Sequence, residues 1–178
     1  MRIGNKFLTG STVENSSLDD EAKKAIAVEK IKEAEQHKLE GNDAFKQGEY
    51  AQAVLFYTMA IDKVKGSNLP PKEDVGGEGG GYKPSLQAAC LANRSACFLK
   101  LGHHEKALSD GAECAELEPE YIKGHFRRGL ALHATGCYKD ALGEFVKALE
   151  IEPKNKQVKD AMKFSEVKLE MEMRERMR

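Results

Sequence analysis

Two segments of the sequence carry basic side chains with no acidic ones to balance them. Residues 121–136 contain Lys123, Arg127 and Arg128 but neither Asp nor Glu, and residues 88–101 likewise contain no acid, although the whole chain has 28 basic and 29 acidic residues. Lys123 and Arg127 are four residues apart, a spacing that places two side chains on one face of a helix. Because a surface with one sign of charge attracts the opposite sign, this pattern predicts a binding site for an anion.

The composition limits the class of protein. A chain of 178 residues is long enough for one domain with a core, and 40% hydrophobic residues with no Trp predict an aliphatic core. A net charge of −1 argues against nucleic acid as a partner, which would require a broad basic surface. No apolar run approaches the length of a membrane span. We therefore expect a cytoplasmic, monomeric domain that contacts neither membrane nor nucleic acid.

The sequence gives little support for catalysis or for a cofactor. It contains no acid pair, no nucleophile beside a base and no phosphate-binding loop, since "GGEGGG" lacks the Lys-Ser/Thr that such a loop needs. His125 and His133 are expected to line a groove or pack between helices rather than to bind metal. The cysteines form no CxxC pair, so we expect free thiols, three of them within helices, and no metal site. They are Cys90, Cys97, Cys114 and Cys137.

An internal repeat organises the chain. Three pairs of residues recur at an interval of 34: Gly102 and Gly136, Ala107 and Ala141, and Pro119 and Pro153. An earlier copy, with Gly48, Ala53 and Ala60, is displaced by a further insert of 20 residues. In each copy the Gly is expected to end one helix in a left-handed turn and the Ala to allow close helix contact. An aromatic residue four positions after the Ala is predicted to fill the space between the helices. These aromatic residues are Tyr57 and Phe145, and the second copy has Gly111 in their place.

This period resembles the tetratricopeptide repeat, two antiparallel helices in 34 residues, over about residues 34–153. The resemblance implies an all-α fold, an α-solenoid of three helix pairs with a C-terminal capping helix. The predicted segments are a flexible tail (1–16), an N-terminal helical extension (17–33), repeat 1 (34–65), a Gly/Pro-rich insert (66–87), repeat 2 (88–121), repeat 3 (122–153) and the capping helix (154–178). The insert resembles one found in the tetratricopeptide domains of large immunophilins.

The last segment carries an apolar stripe at helical spacing. We expect this face to cover the end of the solenoid, while a membrane-binding or calmodulin-type face is the alternative. The stripe consists of Val158, Met162, Ser165, Leu169 and Met173.

In a tetratricopeptide array the first helix of each repeat lines a concave face, here about residues 34–47, 88–101 and 122–135. The last two of these helices contribute cations, including Arg94 and Lys100, and no acid, whereas the outer helix of repeat 2 carries four acids against one Lys: Glu105, Asp110, Glu113 and Glu116. Cations and amides that converge from three helices suit one or two carboxylates, because Arg forks onto a carboxylate and Asn donates without a counter-ion.

The segments "KLEGN", "NRSA" and "KGHFR" resemble the two-carboxylate clamp of heat-shock co-chaperones. The resemblance implies that Lys38, Asn42 and Asn93 hold a terminal carboxylate and the last side chain. It also implies that Lys123 and Arg127 bind an upstream carboxylate and the peptide backbone. The implied partner is the C-terminal Glu-Glu-Val-Asp (EEVD) of ninety- or seventy-kilodalton heat-shock chaperones, bound by a non-catalytic adaptor. Apolar contacts for the peptide's Val are expected from Phe45, Ala96 and Leu99.

Two alternatives to this assignment remain open in the sequence. The five polar residues could be ordinary lining, with Asn93 bridging helices and Arg127 paired with Glu118 or Glu120. The domain could also be a scaffold that binds a different peptide or protein, without dependence on a free C-terminus.

Overall fold

The structure is a computed structural model that describes residues 13–65 and 84–178, with side chains from residue 21 onward. Within these ranges the chain is all-α, as predicted, and forms seven helices without a strand. They are α1 (Val13–Gln47), α2 (Tyr50–Val64), α3 (Leu86–Lys100), α4 (His104–Leu117), α5 (Ile122–Ala134), α6 (Tyr138–Ile151) and α7 (Lys156–Arg176).

The helices form an inner and an outer layer. Each helix packs against the next one along the chain, and α1, α3, α5 and α7 also contact one another in that order. Among the described residues, α2, α4 and α6 make no such contacts with one another. Stacking in which only alternate helices touch produces a curved solenoid, and it brings the side chains of α1, α3 and α5 together.

Glycine ends the first helix of each repeat. Gly48, Gly102 and Gly136 have φ angles of 81°, 76° and 81°, the left-handed region that favours Gly. The amide of Gly48 donates to the carbonyl of Phe45 at 3.1 Å, which satisfies a helix-end carbonyl. The predicted left-handed turns are confirmed at all three positions.

Aromatic rings fill the first and third helix pairs. The ring of Tyr57 packs so closely on Gly41 that a Cβ added there would lie 2.8 Å from it, and Phe145 packs on Gly129 with a corresponding distance of 2.5 Å. Both rings are buried, which confirms their predicted packing role. The repeated alanines are fully buried at the same helix contacts: Ala53, Ala107 and Ala141.

The second repeat uses a different contact. Gly111 of α4 faces the backbone of α5, and an added Cβ would lie 2.7 Å from the amide nitrogen of Arg128. The absence of an aromatic ring at this position therefore allows α4 and α5 to approach backbone to backbone.

The capping helix packs through most of its predicted stripe. Val158 and Ser165 are buried and Met162 lies against the core formed by α6 and its neighbours. Leu169 is half-buried, whereas Met173 is exposed. The packed part of the stripe therefore ends at Leu169, and the inclusion of Met173 in the predicted stripe was wrong. None of the described helices is long and apolar enough to span a bilayer.

Helix bounds differ from the predicted segments at two places. Residues 13–16, assigned to the tail, already belong to α1, which continues unbroken because no Gly or Pro interrupts it before residue 41. Helix α3 begins at Leu86, inside the predicted insert, because the side chain of Ser85 caps it by accepting from the amide of Ala88 at 3.2 Å. The rest of the tail (1–12) and of the insert (66–83) lies outside the described residues.

Candidate functional site

A groove opens on the inner layer where α1, α3 and α5 converge. Its volume is about 230 Å³, and no acidic residue lines it. Five of the residues predicted from the sequence lie in its wall, together with two that were not. The lining residues are Asn42, Phe45, Lys46, Tyr57, Asn93, Ala96 and Arg127.

Two asparagines from different repeats are joined at the floor of this groove. Asn42 Oδ1 accepts a hydrogen bond from Asn93 Nδ2 at 3.1 Å and another from the Tyr57 hydroxyl at 2.8 Å. Because the carbonyl oxygen of Asn42 is engaged by both donors, its Nδ2 group is the part left to bind a ligand. The two amides therefore present N–H donors to the groove, the arrangement that a carboxylate requires.

Arg127 supplies the charge of the groove. Its Nε atom is buried without a hydrogen-bond partner, and no carboxylate of the described residues forms an ion pair with its guanidinium. Burial lowers the pKa of Arg127, although a guanidinium remains protonated. The guanidinium carbon lies 5.5 Å from the centroid of the Phe126 ring, a favourable cation–π contact. Arg127 is half-buried, and since a charge in such surroundings is normally paired, its unpaired guanidinium suits an anionic ligand.

Lys38 and Lys123 lie one helical turn before Asn42 and Arg127, on the same faces of α1 and α5. Lys38 is half-buried and Lys123 is exposed, and neither forms an ion pair with another described residue. Burial raises the pKa of the Cys90 thiol of α3 to about 11, and the charge of Lys38 acts in the opposite direction. The two lysines flank the groove without forming its wall.

Two further arginines of the inner helices have partners inside the domain, contrary to the prediction that the inner cations face a ligand. Arg94 donates from Nε and Nη2 to the two carboxylate oxygens of Asp110, both at 2.8 Å. Arg128 lies 3.7 Å from the carboxylate of Glu144. Both acids come from outer helices, α4 and α6, so the inner cations divide into a paired set and an unpaired one.

Glu144 is the centre of a second charge cluster. His125 Nδ1 lies 2.8 Å from Glu144 Oε2, and Lys147 donates to Oε1 at 3.0 Å. Burial alone would raise the pKa of Glu144, but the bonds from His125 and Lys147 and the charge of Arg128 lower it to about 2. His125 is therefore a packing residue, one of the two roles that the sequence predicted for it.

His133 is also engaged in packing. Its Nδ1 atom lies 2.7 Å from the Ser165 hydroxyl, and burial lowers its pKa. Among the described residues, no three His, Cys, Asp or Glu side chains are arranged to hold a metal ion. The cysteines are free, and the three within helices are buried, as predicted: Cys90, Cys97 and Cys114.

Two residues of the groove were missed in the sequence, and Leu99, like the two flanking lysines, lies outside its lining. Lys46 reaches the groove one turn after Asn42, a spacing that could have identified it, and pairs with Asp43 at 3.0 Å. Tyr57 was assigned to packing alone, and nothing in the sequence indicates its bond to Asn42. Leu99 is half-buried and lies outside the lining of the groove, because its position on α3 is one turn beyond Ala96.

The solenoid and its groove of donors define a helical-repeat domain built to bind a partner. Residues 122–155 match the family profile of the tetratricopeptide repeat. The structure is similar to that of the Arabidopsis OM64 TPR domain, with 31% identity, a TM-score of 0.63, and coverage of 77% of this chain and 97% of that one. The chain belongs to the tetratricopeptide repeat family.

Two other similar proteins are connected with heat-shock chaperones, one by its name and one by the peptide in its structure. Hsp70-Hsp90 organizing protein 2 of Arabidopsis thaliana is 31% identical over 129 residues, which is 72% of this chain and 19% of that protein. The chain thus spans about a fifth of that relative's length. The first TPR domain of Spaghetti (RPAP3), solved with the HSP90 peptide SRMEEVD, is 25% identical with a TM-score of 0.63, over 78% of this chain and 94% of that one.

Proposed function

We propose that the groove binds the C-terminal EEVD carboxylates of heat-shock chaperones of the ninety- or seventy-kilodalton class, and that the domain is a non-catalytic co-chaperone adaptor. The observation that carries the proposal is the unpaired guanidinium of Arg127 opposite the donors of Asn42 and Asn93. Support comes from the RPAP3 domain, whose structure contains an EEVD peptide, and from the relative named for both chaperone classes. A cytoplasmic location belongs to the same proposal.

The proposed roles follow the resemblance and the geometry of the groove. Lys38, Asn42 and Asn93 hold the terminal carboxylate and the last side chain. Lys123 and Arg127 bind the upstream carboxylate and the peptide backbone.

The apolar part of the groove would receive the peptide's Val. Phe45 packs edge-on against Tyr50 with ring centroids 5.3 Å apart, and it offers this apolar wall together with Ala96. Leu99, which the sequence also predicts for this contact, lies outside the lining of the groove.

Affinity should be moderate. A hydrogen bond to a charged group contributes about 1.5–3 kcal/mol, and losses of ligand freedom offset much of the sum. A short peptide is therefore expected to bind at roughly micromolar Kd, or about −8 kcal/mol.

Substitution of the two basic residues tests the proposal. Fluorescence anisotropy with a labelled peptide ending in Met-Glu-Glu-Val-Asp should show that Arg127→Ala and Lys123→Ala abolish binding while circular dichroism remains unchanged. Matched controls are Arg174→Ala on α7 and Lys139→Ala on α6, both exposed and outside the groove. Wild-type affinity in either groove variant would contradict the assignment of the clamp.

A further inference from the structure

Tyr57 and Phe145 occupy the same position in repeats 1 and 3, and they differ by one hydroxyl group. Each ring is buried and packs on a glycine of the preceding helix, Gly41 or Gly129. Since Phe145 fills its site with a ring alone, packing between the helices does not require the oxygen. The hydroxyl of Tyr57 therefore has a use that the repeat architecture does not explain.

The Tyr57 hydroxyl forms a hydrogen bond to a residue that lines the groove. Tyr57 is only 1% exposed, and its hydroxyl donates to Asn42 Oδ1 at 2.8 Å. Burial raises the pKa of Tyr57, so the phenol stays protonated and acts as a donor. Asn93 donates to the same oxygen at 3.1 Å, so Asn42 Oδ1 accepts from two donors.

We propose that Tyr57 is a positioning residue that makes the groove selective for a carboxylate over a carboxamide. By holding Asn42 Oδ1 towards the interior, its hydroxyl keeps Asn42 Nδ2 towards the ligand. Without this bond only Asn93 holds the oxygen, and the amide can rotate more easily to place its oxygen in the groove, where it repels a carboxylate and accepts from an N–H group. The inference rests on the proposed function, because it specifies how the same groove recognises a free C-terminus.

Tyr57→Phe is the direct test, because it keeps the ring and removes the hydroxyl. Isothermal titration calorimetry would compare two peptides ending in Met-Glu-Glu-Val-Asp, one with a free C-terminus and one amidated. Loss of one charge-assisted recognition element should weaken the free acid by about fivefold to tenfold and leave the amide nearly unchanged. The preference for the acid therefore falls by the same factor. Tyr138→Phe, which removes a phenol hydroxyl from α6, should leave both affinities unchanged.

The route through Asn42 is tested in a second background. If Tyr57 acts by orienting Asn42, then Tyr57→Phe should have no further effect on peptide affinity in an Asn42→Ala variant. Protein concentrations would be raised in this background to keep the weaker binding measurable. Urea unfolding of every variant would establish that the comparison concerns folded protein.

Three results are distinguishable. A wild-type domain with no preference for the free acid overturns the proposed function and this inference with it. A wild-type preference that Tyr57→Phe leaves intact overturns the role of Tyr57 alone. An equal loss of affinity in the Asn42→Ala background also overturns that role, because the tyrosine would then act independently of Asn42.

Discussion

Arg94 and Arg127 lie on neighbouring inner helices, and their surroundings are opposite. Arg94 donates two 2.8 Å bonds to Asp110 of α4 and a third, at 2.9 Å, to the Thr58 hydroxyl of α2; these three residues form a seam that joins α3 to both outer helices. Arg127 has a buried Nε atom without a partner and no acid beside it in the described structure. A cation that finds its acid within the domain stabilises the fold, whereas one that finds none is available to an external carboxylate. Whether a basic residue on the concave face has an acidic partner within the domain therefore distinguishes a structural residue from one available to a ligand.

Breaking the seam should produce the largest effect. Arg94→Ala leaves the buried carboxylate of Asp110 without its partner, and removal of one member of a buried pair costs about 3–5 kcal/mol of unfolding free energy. Urea unfolding followed by circular dichroism at 222 nm measures this change. Arg127→Ala is the matched comparison and should leave the stability unchanged or slightly raised. A loss below about 1 kcal/mol for Arg94→Ala would show that the seam is no more than a surface contact.

An acidic residue introduced into the groove should pair with Arg127, as Asp110 pairs with Arg94. Ala96 lines the groove with Arg127, so Ala96→Glu places a carboxylate within reach of the unpaired guanidinium. We expect the EEVD peptide to bind at least about tenfold more weakly to this variant than to Ala96→Gln, since one charge-assisted pairing is worth that much.

The glutamine variant controls for the size of the new side chain, and fluorescence anisotropy with the labelled peptide measures both affinities. The Glu variant should also unfold at a higher urea concentration than the Gln variant. Equal affinities would mean that the charge of Arg127 does not attract the ligand.

The cluster around Glu144 should give a pH-dependent stability. Because the pKa of Glu144 is about 2 in the folded protein, below its ordinary value of 4.5, ionised Glu144 stabilises the fold at pH values above 4.5. This contribution is lost as the pH falls from about 4.5 towards 2. Urea midpoints measured across this range should fall more steeply for the wild type than for Glu144→Gln, in which position 144 does not titrate. Parallel curves would exclude the cluster as a source of acid sensitivity.

The smallest expected effect is that of salt, which should weaken peptide binding at the groove but hardly change the stability that the Arg94–Asp110 pair provides. Lys123 is exposed, so part of its attraction for a ligand is screened over about 10 Å at 0.1 M salt. Peptide affinity is therefore expected to fall several-fold between low and high NaCl, while the urea midpoint changes little because the Arg94–Asp110 pair is buried. An affinity independent of salt would assign recognition to apolar contacts.

Much of the fold follows from local rules that the sequence displays. The structure contains the predicted left-handed glycines and buried alanines, which lie 34 residues apart in repeats 2 and 3. Each of these features depends on residues close to it in the sequence. The repeat alignment predicts that repeat 2 begins at residue 88, whereas α3 begins two residues earlier, after the Ser85 cap that the alignment does not reveal. Regular spacing thus predicts elements better than it predicts their ends.

The groove could be predicted only in part, because the sequence of one helix does not show which of its basic residues form ion pairs with acids on another helix. Arg94 and Arg128 were grouped with the ligand-facing cations since their own helices contain no acid. Their partners, Asp110 and Glu144, each lie 16 residues further on, and both pairs repeat with the period of the domain. That shared interval is a signal that could have found them. The bond from Tyr57 to Asn42 has no counterpart in another repeat and required the structure.

The central claim is that the unpaired donors of the groove bind a free C-terminal carboxylate. Calorimetric titration of the wild-type domain with free-acid and amidated peptides ending in Met-Glu-Glu-Val-Asp tests it most directly. We predict roughly micromolar binding of the free acid and at least about tenfold weaker binding of the amide, since the amide removes the charge that Asn42, Asn93 and Lys38 are arranged to receive. Equal binding of the two peptides, or no binding of either, would contradict it.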